Sequence, residues 1–238
     1  STGVYCLNKH TGIRQHLTTE RPGTLTTNYI YSIVEDNNKN LWFGGIYGNL
    51  IRYTPSQAGK AEQFASYGIT LINSITTVGK DTIALATANG LYLLNKQTGN
   101  FKQYFTSPSN ADTRSNSFIY SMYFPTPDKV WFGTDGGGIN SFNPLTEKFT
   151  HYPSTWEDKV ASICQFTPGK LLISLFSQGV FIFNPATGEK QPFTIVDAKT
   201  TALLCNRGKA VNLLRNTHHN ILFLGEHIYI YDLNTRTF

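Results

Sequence analysis

Three groups of side chains in this sequence have the types that chemistry requires, and spacing tests each of them. Asp135-Gly136-Gly137-Gly138 has the glycine density of a phosphate-cradling loop. Such a cradle needs a helix start behind it or a Lys-Ser/Thr pair closing it, and neither follows here. The run therefore reads as a turn whose glycines supply positive φ. His218-His219 is the one adjacent histidine pair. Neighbours on a strand or turn diverge, and no third ligand is spaced to join them, so neither a metal site nor a cofactor is expected. Acidic residues such as Glu35, Asp36, Glu147, Glu157, Asp158, Asp197 and Glu226 are scattered, and no two are placed on opposite sides of a glycosidic bond. Hydrolytic chemistry has no visible machinery, and the chain reads as a non-enzyme.

What remains is binding chemistry, carried by aromatic and cationic residues in connecting segments, and these need a frame. The frame is a repeat. A Ser or Asn within an apolar run falls at Ser32, Ser74, Ser121, Ser162 and Asn212, and ten residues on stand Trp42, Ala84, Trp131, Leu172 and Leu222. Both series step by 42, 47, 41 and 50 residues. A second marker, Asn/Asp-x-x-Thr, occurs at Asn8/Thr11, Asn95/Thr98, Asn143/Thr146, Asn184/Thr187 and Asp232/Thr235. The constant offset fixes one hairpin length, and the variable steps confine insertions to the connections. Repeats of roughly 40 to 50 residues with several strands each indicate propeller blades.

The strands follow from local chemistry. Runs such as Val130-Trp131-Phe132 favour a pleated surface. They are broken by Asp/Asn/Gly/Pro-rich turns such as Asp36 to Asn40, Thr126 to Lys129 and Thr167 to Lys170. No helical period is sustained. The expected fold is an all-β propeller of four-stranded antiparallel blades forming one domain over 1–238. It would hold a half unit at 3–17 and five complete units at 29–64, 72–105, 117–152, 160–193 and 210–238. With inner strands lacking from the first unit, the sequence reads as a truncated propeller excised from something longer.

Composition bounds the partners. Lys plus Arg total 20 against 15 for Asp plus Glu, a net +5 spread along the chain rather than gathered into a stripe, which argues against nucleic acid. No apolar run approaches the roughly 20 residues that span a bilayer, and no signal peptide opens the sequence, so no membrane insertion of this piece is expected. Cys6, Cys164 and Cys205 lack metal-like spacing and sit in apolar contexts, as free core thiols do.

Residues 131–149, from Trp131-Phe132-Gly133-Thr134 through Gly137-Gly138 and Phe142-Asn143-Pro144 to Phe149, resemble the two-component regulator propeller repeat, and Leu41 to Tyr53 resembles it well. The resemblance implies a seven-bladed propeller in the periplasmic portion of an inner-membrane hybrid two-component histidine kinase, as in Bacteroides-type gut bacteria. Such a sensor responds to oligosaccharides and controls polysaccharide-utilisation genes. Kinase, receiver and DNA-binding parts would follow this piece. The alternatives are a propeller-type polysaccharide lyase or glycoside hydrolase, or a dimerisation scaffold without a ligand.

In a propeller, the connections between blades and the turns between second and third strands gather at one face. These segments carry Arg21, Tyr47, Tyr67, Arg114, Trp156, Lys159, Arg207 and Lys209 as candidate ligand-binding residues, with Tyr29, Asn89, Asp135 and Gln178 beside them. Aromatic rings offer flat apolar faces to sugars, and cations offer directed donors. An oligosaccharide is the expected ligand, and the predominance of basic residues in the set would favour an acidic one over a neutral one. Neighbouring sensor domains of the same protein and a second copy of the chain are the expected macromolecular partners. Repeated residues are read differently: the Ser32 series and Trp42/Trp131 as packing, and Gly133 and Gly138 as steric necessities.

Overall fold

A computed structural model describes residues 3–8, 10–12, 14–21, 24–57, 60–64, 68–104, 118–126, 128–152, 158–194, 212–215, 220–224 and 228–237. The chain groups into two compact units, 1–105 and 106–238. In the first, β1 (Val4–Leu7) and β2 (Arg14–Leu17) form a two-stranded sheet. Two four-stranded antiparallel meanders follow: β3 (Ile30–Glu35), β4 (Leu41–Gly45), β5 (Leu50–Thr54) and β6 (Lys60–Phe64), then β7 (Ile72–Val78), β8 (Thr82–Thr87), β9 (Gly90–Asn95) and β10 (Phe101–Tyr104).

The second unit continues with β11 (Ile119–Thr126), β12 (Lys129–Thr134), β13 (Ile139–Asn143) and β14 (Lys148–Tyr152). Its next sheet is β15 (Val160–Thr167), β16 (Lys170–Leu175), β17 (Gly179–Asn184) and β18 (Glu189–Pro192). The last sheet is β19 (Asn212–Arg215), β20 (Asn220–Leu224) and β21 (Ile228–Asp232). Every sheet pairs neighbours in chain order, as propeller blades do, and the fold is the expected all-β propeller. In the sheet expected over 210–238, the fourth strand is represented among the described residues by a single bridge, Asp232 to Thr237.

Both sequence markers have physical causes. Asn143 accepts the backbone N–H groups of Leu145 and Thr146 on its side-chain oxygen at 2.9 and 3.1 Å, and Asn8, Asn95 and Asp232 do the same for the residues two and three on. This bonding tightens the turn between third and fourth strands. The Ser series joins successive blades within each unit. Ser32 Oγ accepts from Ile75 N at 2.9 Å, Ser121 Oγ donates to Val160 O at 3.0 Å, and Ser162 Oγ accepts from Leu213 N at 3.0 Å.

The tryptophan series fills the space between blades. Trp42 lies buried among Ile72, Ile75, Ile83 and Leu94, and Trp131 among Ile163, Leu171, Ile173 and Phe183. Two residues after each tryptophan, Gly44 and Gly133 let the next blade approach. A Cβ on Gly44 would meet Ile72 and Ile75, and one on Gly133 would meet Val160. Gly133 is therefore required for close packing, whereas Gly138 is the one held at positive φ, 71°. Cys6 and Cys164 are in no disulfide, and Cys205 and the His218-His219 pair lie outside the described residues.

One side of the first unit is less covered. β1 pairs with β2 and with no other described strand. Along β3, Tyr31 and Ile33 are 58% and 51% exposed, alternating with Ser32, which is turned toward β7.

Candidate functional site

Within a meander, the turn between second and third strands lies at the same edge as the segment entering the first strand. The other two turns lie at the opposite edge. Lys159 is at the first edge of the second unit, bridged through its backbone to Asp135. Its Nζ donates to Tyr120 Oη at 3.1 Å, lies 3.7 Å from Asp135 Oδ2, and stands 5.1 and 5.9 Å from the ring centres of Tyr120 and Phe176. The Tyr120 bond first and the Asp135 charge second raise the pKa of the Lys159 ammonium. Asp158, buried next to it, accepts from Ser177 N and Oγ, both at 2.8 Å. That carboxylate anchors the turn carrying Phe176, so Lys159 emerges against a fixed aromatic wall. The arrangement offers one cation and two rings at an open edge.

The other candidates divide by unit. Arg21 and Tyr47 belong to the first unit, where each occupies an exposed turn; Tyr47 is 83% exposed with φ 56°. Asn89 has a structural occupation, donating through Nδ2 to Gly68 O and, at 3.0 Å, to Tyr92 Oη. Tyr67, Arg114, Trp156, Arg207 and Lys209 lie outside the described residues. Lys159 is thus the one of these candidates that is described in the second unit, and Tyr120 and Phe176 are partners that the sequence reading did not single out.

The opposite edge of the second unit holds a cavity of about 430 Å³ between the β11–β14 and β15–β18 sheets. Tyr123, Trp131, Tyr152, Pro125 and Pro185 form its aromatic and apolar walls, and Lys129 and Lys170 bring cations. Lys129 Nζ stands 4.6 Å from the Trp131 ring centre, and among the described residues no carboxylate side chain lines the space. Sequence reasoning passed over this cavity because its lining belongs to the tight turns, which looked purely structural. The available signal was the pair of prolines where the first unit has charged residues.

In the first unit, the position equivalent to Pro125 is Asp36 and that equivalent to Pro185 is Lys96. Asp36 and Lys96 form an ion pair at 3.2 Å, with side chains only 1% and 6% exposed. Asp36 Oδ2 also accepts from Trp42 Nε1 at 2.9 Å, and Oδ1 accepts from Asn38 N and Asn40 N. Burial would raise the Asp36 pKa, but these bonds, led by that from Trp42, outweigh it and lower it to about 2.

Comparison with known proteins meets this geometry at the first complete blade: the family described as two component regulator propeller matches residues 24–47. Residues 24–47 are thus similar to a two component regulator propeller repeat. That match covers the approach to β3, the strand itself and β4, and ends at Tyr47; the stretch from Trp131 to Phe149, closer by eye, falls outside it. No curated protein matches the sequence. Among solved structures, the chain is similar to the extracellular domain assigned to hybrid two component system BT4673 of B. thetaiotaomicron, at 22% identity, TM-score 0.74 and 96% of this chain. It is also similar to the corresponding domain of BT3049 from the same organism, at 21% identity, TM-score 0.73 and 94% of this chain. The chain spans only 29% and 31% of those two structures. A streptogramin B lyase structure matches at 14% identity and TM-score 0.69, over 96% of this chain and 75% of that one. At these identities the likeness establishes a shared propeller fold.

Proposed function

We propose that this propeller repeat chain is part of the extracytoplasmic sensor region of a hybrid two-component histidine kinase, sensing oligosaccharides to control polysaccharide-utilisation genes. The observation that carries the reading is the combination of a regulator-propeller repeat at 24–47 with a fold match across nearly the whole chain to extracellular domains assigned to hybrid two component systems. The periplasm is the compartment this reading requires, and other sensor domains of the same protein, or a second copy, are the partners through which binding would be transmitted.

On this reading the binding edge of the second unit contains Lys159 with Tyr120 and Phe176, and that of the first unit contains Arg21 and Tyr47. Tyr67, Arg114, Trp156, Arg207 and Lys209 belong to the same proposed set. The ring faces suit pyranose carbons, and the lysine suits an acidic substituent. A thermal-shift screen of the intact sensor region against acidic and neutral oligosaccharides tests it. A salt-sensitive shift with acidic members supports the reading. No shift with any glycan, or release of shortened products pointing to a lyase or hydrolase, defeats it.

A further inference from the structure

We infer that the cavity beside Trp131 binds a small ring-bearing carboxylate, whose acid group takes the place that the Asp36 side chain fills beside Trp42. The first unit supplies the template. There, Asp36 receives the indole N–H of Trp42 at 2.9 Å and the Lys96 ammonium at 3.2 Å, all within the protein interior. In the second unit the same indole position is kept as Trp131, but Pro125 and Pro185 replace the carboxylate and the ammonium. Neither proline side chain can accept from an indole or donate to an anion.

The consequence is visible at Trp131 itself. This side chain is 4% exposed, lines the cavity, and its N–H makes no hydrogen bond among the described residues. Among the described residues it is also not one of the side-chain nitrogens sealed from solvent without a hydrogen bond, so a ligand can reach it. A buried donor with an open approach favours an acceptor, and a charged acceptor most strongly. Lys129 and Lys170 line the same space, where no carboxylate among the described residues opposes them, and either can stand in for Lys96. The remaining walls set the rest of the ligand. Tyr152, Tyr123 and the two prolines are flat or apolar, and about 430 Å³ is in the range of small-ligand pockets. A uronic acid residue and an aromatic acid share this chemistry. The site is at the opposite edge from Lys159 and stands independently of the oligosaccharide reading.

The test is a titration of the ¹⁵N-labelled chain, following the indole N–H resonance of Trp131 as identified by its loss in Trp131→Phe. Galacturonate and phenylacetate are the two acid probes, with galactose and phenylethanol as their neutral counterparts. At least one acid is expected to shift the Trp131 resonance saturably at millimolar concentration while leaving Trp42 in place, and to bind about tenfold more tightly than its neutral counterpart. Which acid does so identifies the source of the carboxylate. Pro125→Asp combined with Pro185→Lys recreates the internal pair and is expected to abolish the shift. Should that variant not fold, Trp131→Phe, followed by saturation transfer to the ligand protons, is expected to weaken binding about tenfold. Absence of a saturable shift with both acids, or equal binding of the neutral counterparts, overturns the proposal.

Discussion

Trp42 and Trp131 occupy the same repeat position and meet opposite neighbours. Around Trp42 the gap between successive sheets is closed by a buried ion pair, with the indole N–H, two backbone N–H groups and an ammonium converging on one carboxylate. Around Trp131 the same gap is walled by prolines and left as a cavity. Two solutions to one packing problem differ in what they leave behind. The first produces a locked seam, because a carboxylate held by that many donors cannot move without losing them. The second keeps a donor that only an external group can satisfy. A repeat protein can thus hold its frame constant and vary function through the residues that close the seams.

Breaking the locked seam should have the largest effect. Asp36→Ala leaves the Lys96 ammonium and the Trp42 N–H buried without their partner, and a loss of about 3–5 kcal/mol in chemical denaturation is expected. Asp36→Leu with Lys96→Met should regain most of it, since an apolar replacement of both partners is close to neutral. A loss below about 1 kcal/mol in the single variant would show that the pair is not a lock.

The next effect should be shared by the two regions. Gly44→Ala pushes a methyl into Ile72 and Ile75, and Gly133→Ala pushes one into Val160. Overpacking of this kind typically costs about 1–3 kcal/mol, and melting temperatures of the two variants should fall together. If only one falls, the close approach of sheets is not the common element that the structure indicates.

Acid should separate the regions again. The Asp36 pKa falls on folding from 3.8 to about 2, so the carboxylate stabilises the fold above pH 4, and the gain disappears as pH falls through 2. The size is about 2 kcal/mol. Hydrogen exchange near β3 and β7, compared between the parent and Asp36→Asn, should show that acid sensitivity only in the parent. Equal acid sensitivity in the variant would assign it elsewhere.

The smallest expected effect tests the serine ladder. Ser32→Ala and Ser121→Ala each remove one hydrogen bond between sheets, and about 1 kcal/mol apiece is expected from denaturation midpoints. Ser32→Ala should be the worse of the two, because it strands a backbone donor, whereas Ser121→Ala strands an acceptor carbonyl that has a second lone pair.

The frame was legible in the sequence because its causes are local or periodic. The ten-residue offset from Ser to Trp is the length of one hairpin, and the Asn-x-x-Thr marker is a side chain folding back onto the backbone two and three residues on. Gly133 was correctly read as steric, though its constraint is the approach of Val160 rather than its own φ. The seams were not legible. Asp36 and Lys96 are separated by 60 residues, and nothing near either one announces the other. For the same reason, two prolines in ordinary turn contexts gave no sign of enclosing a cavity. At the Lys159 edge, the cation was found from its place in a connection. Tyr120 and Phe176 were overlooked because, as members of a strand and a turn, they resembled the surrounding pattern.

The thinly covered side of the first unit bears on how this polypeptide behaves as a colloid. A net charge of +5 keeps molecules apart over about a Debye length, and added salt removes that protection. The outer side of β1 and the exposed Tyr31 and Ile33 act at shorter range, through backbone pairing and apolar contact. The isolated polypeptide should therefore become more prone to self-association as ionic strength rises. A charged residue at position 33 would extend its working concentration more effectively than added charge elsewhere.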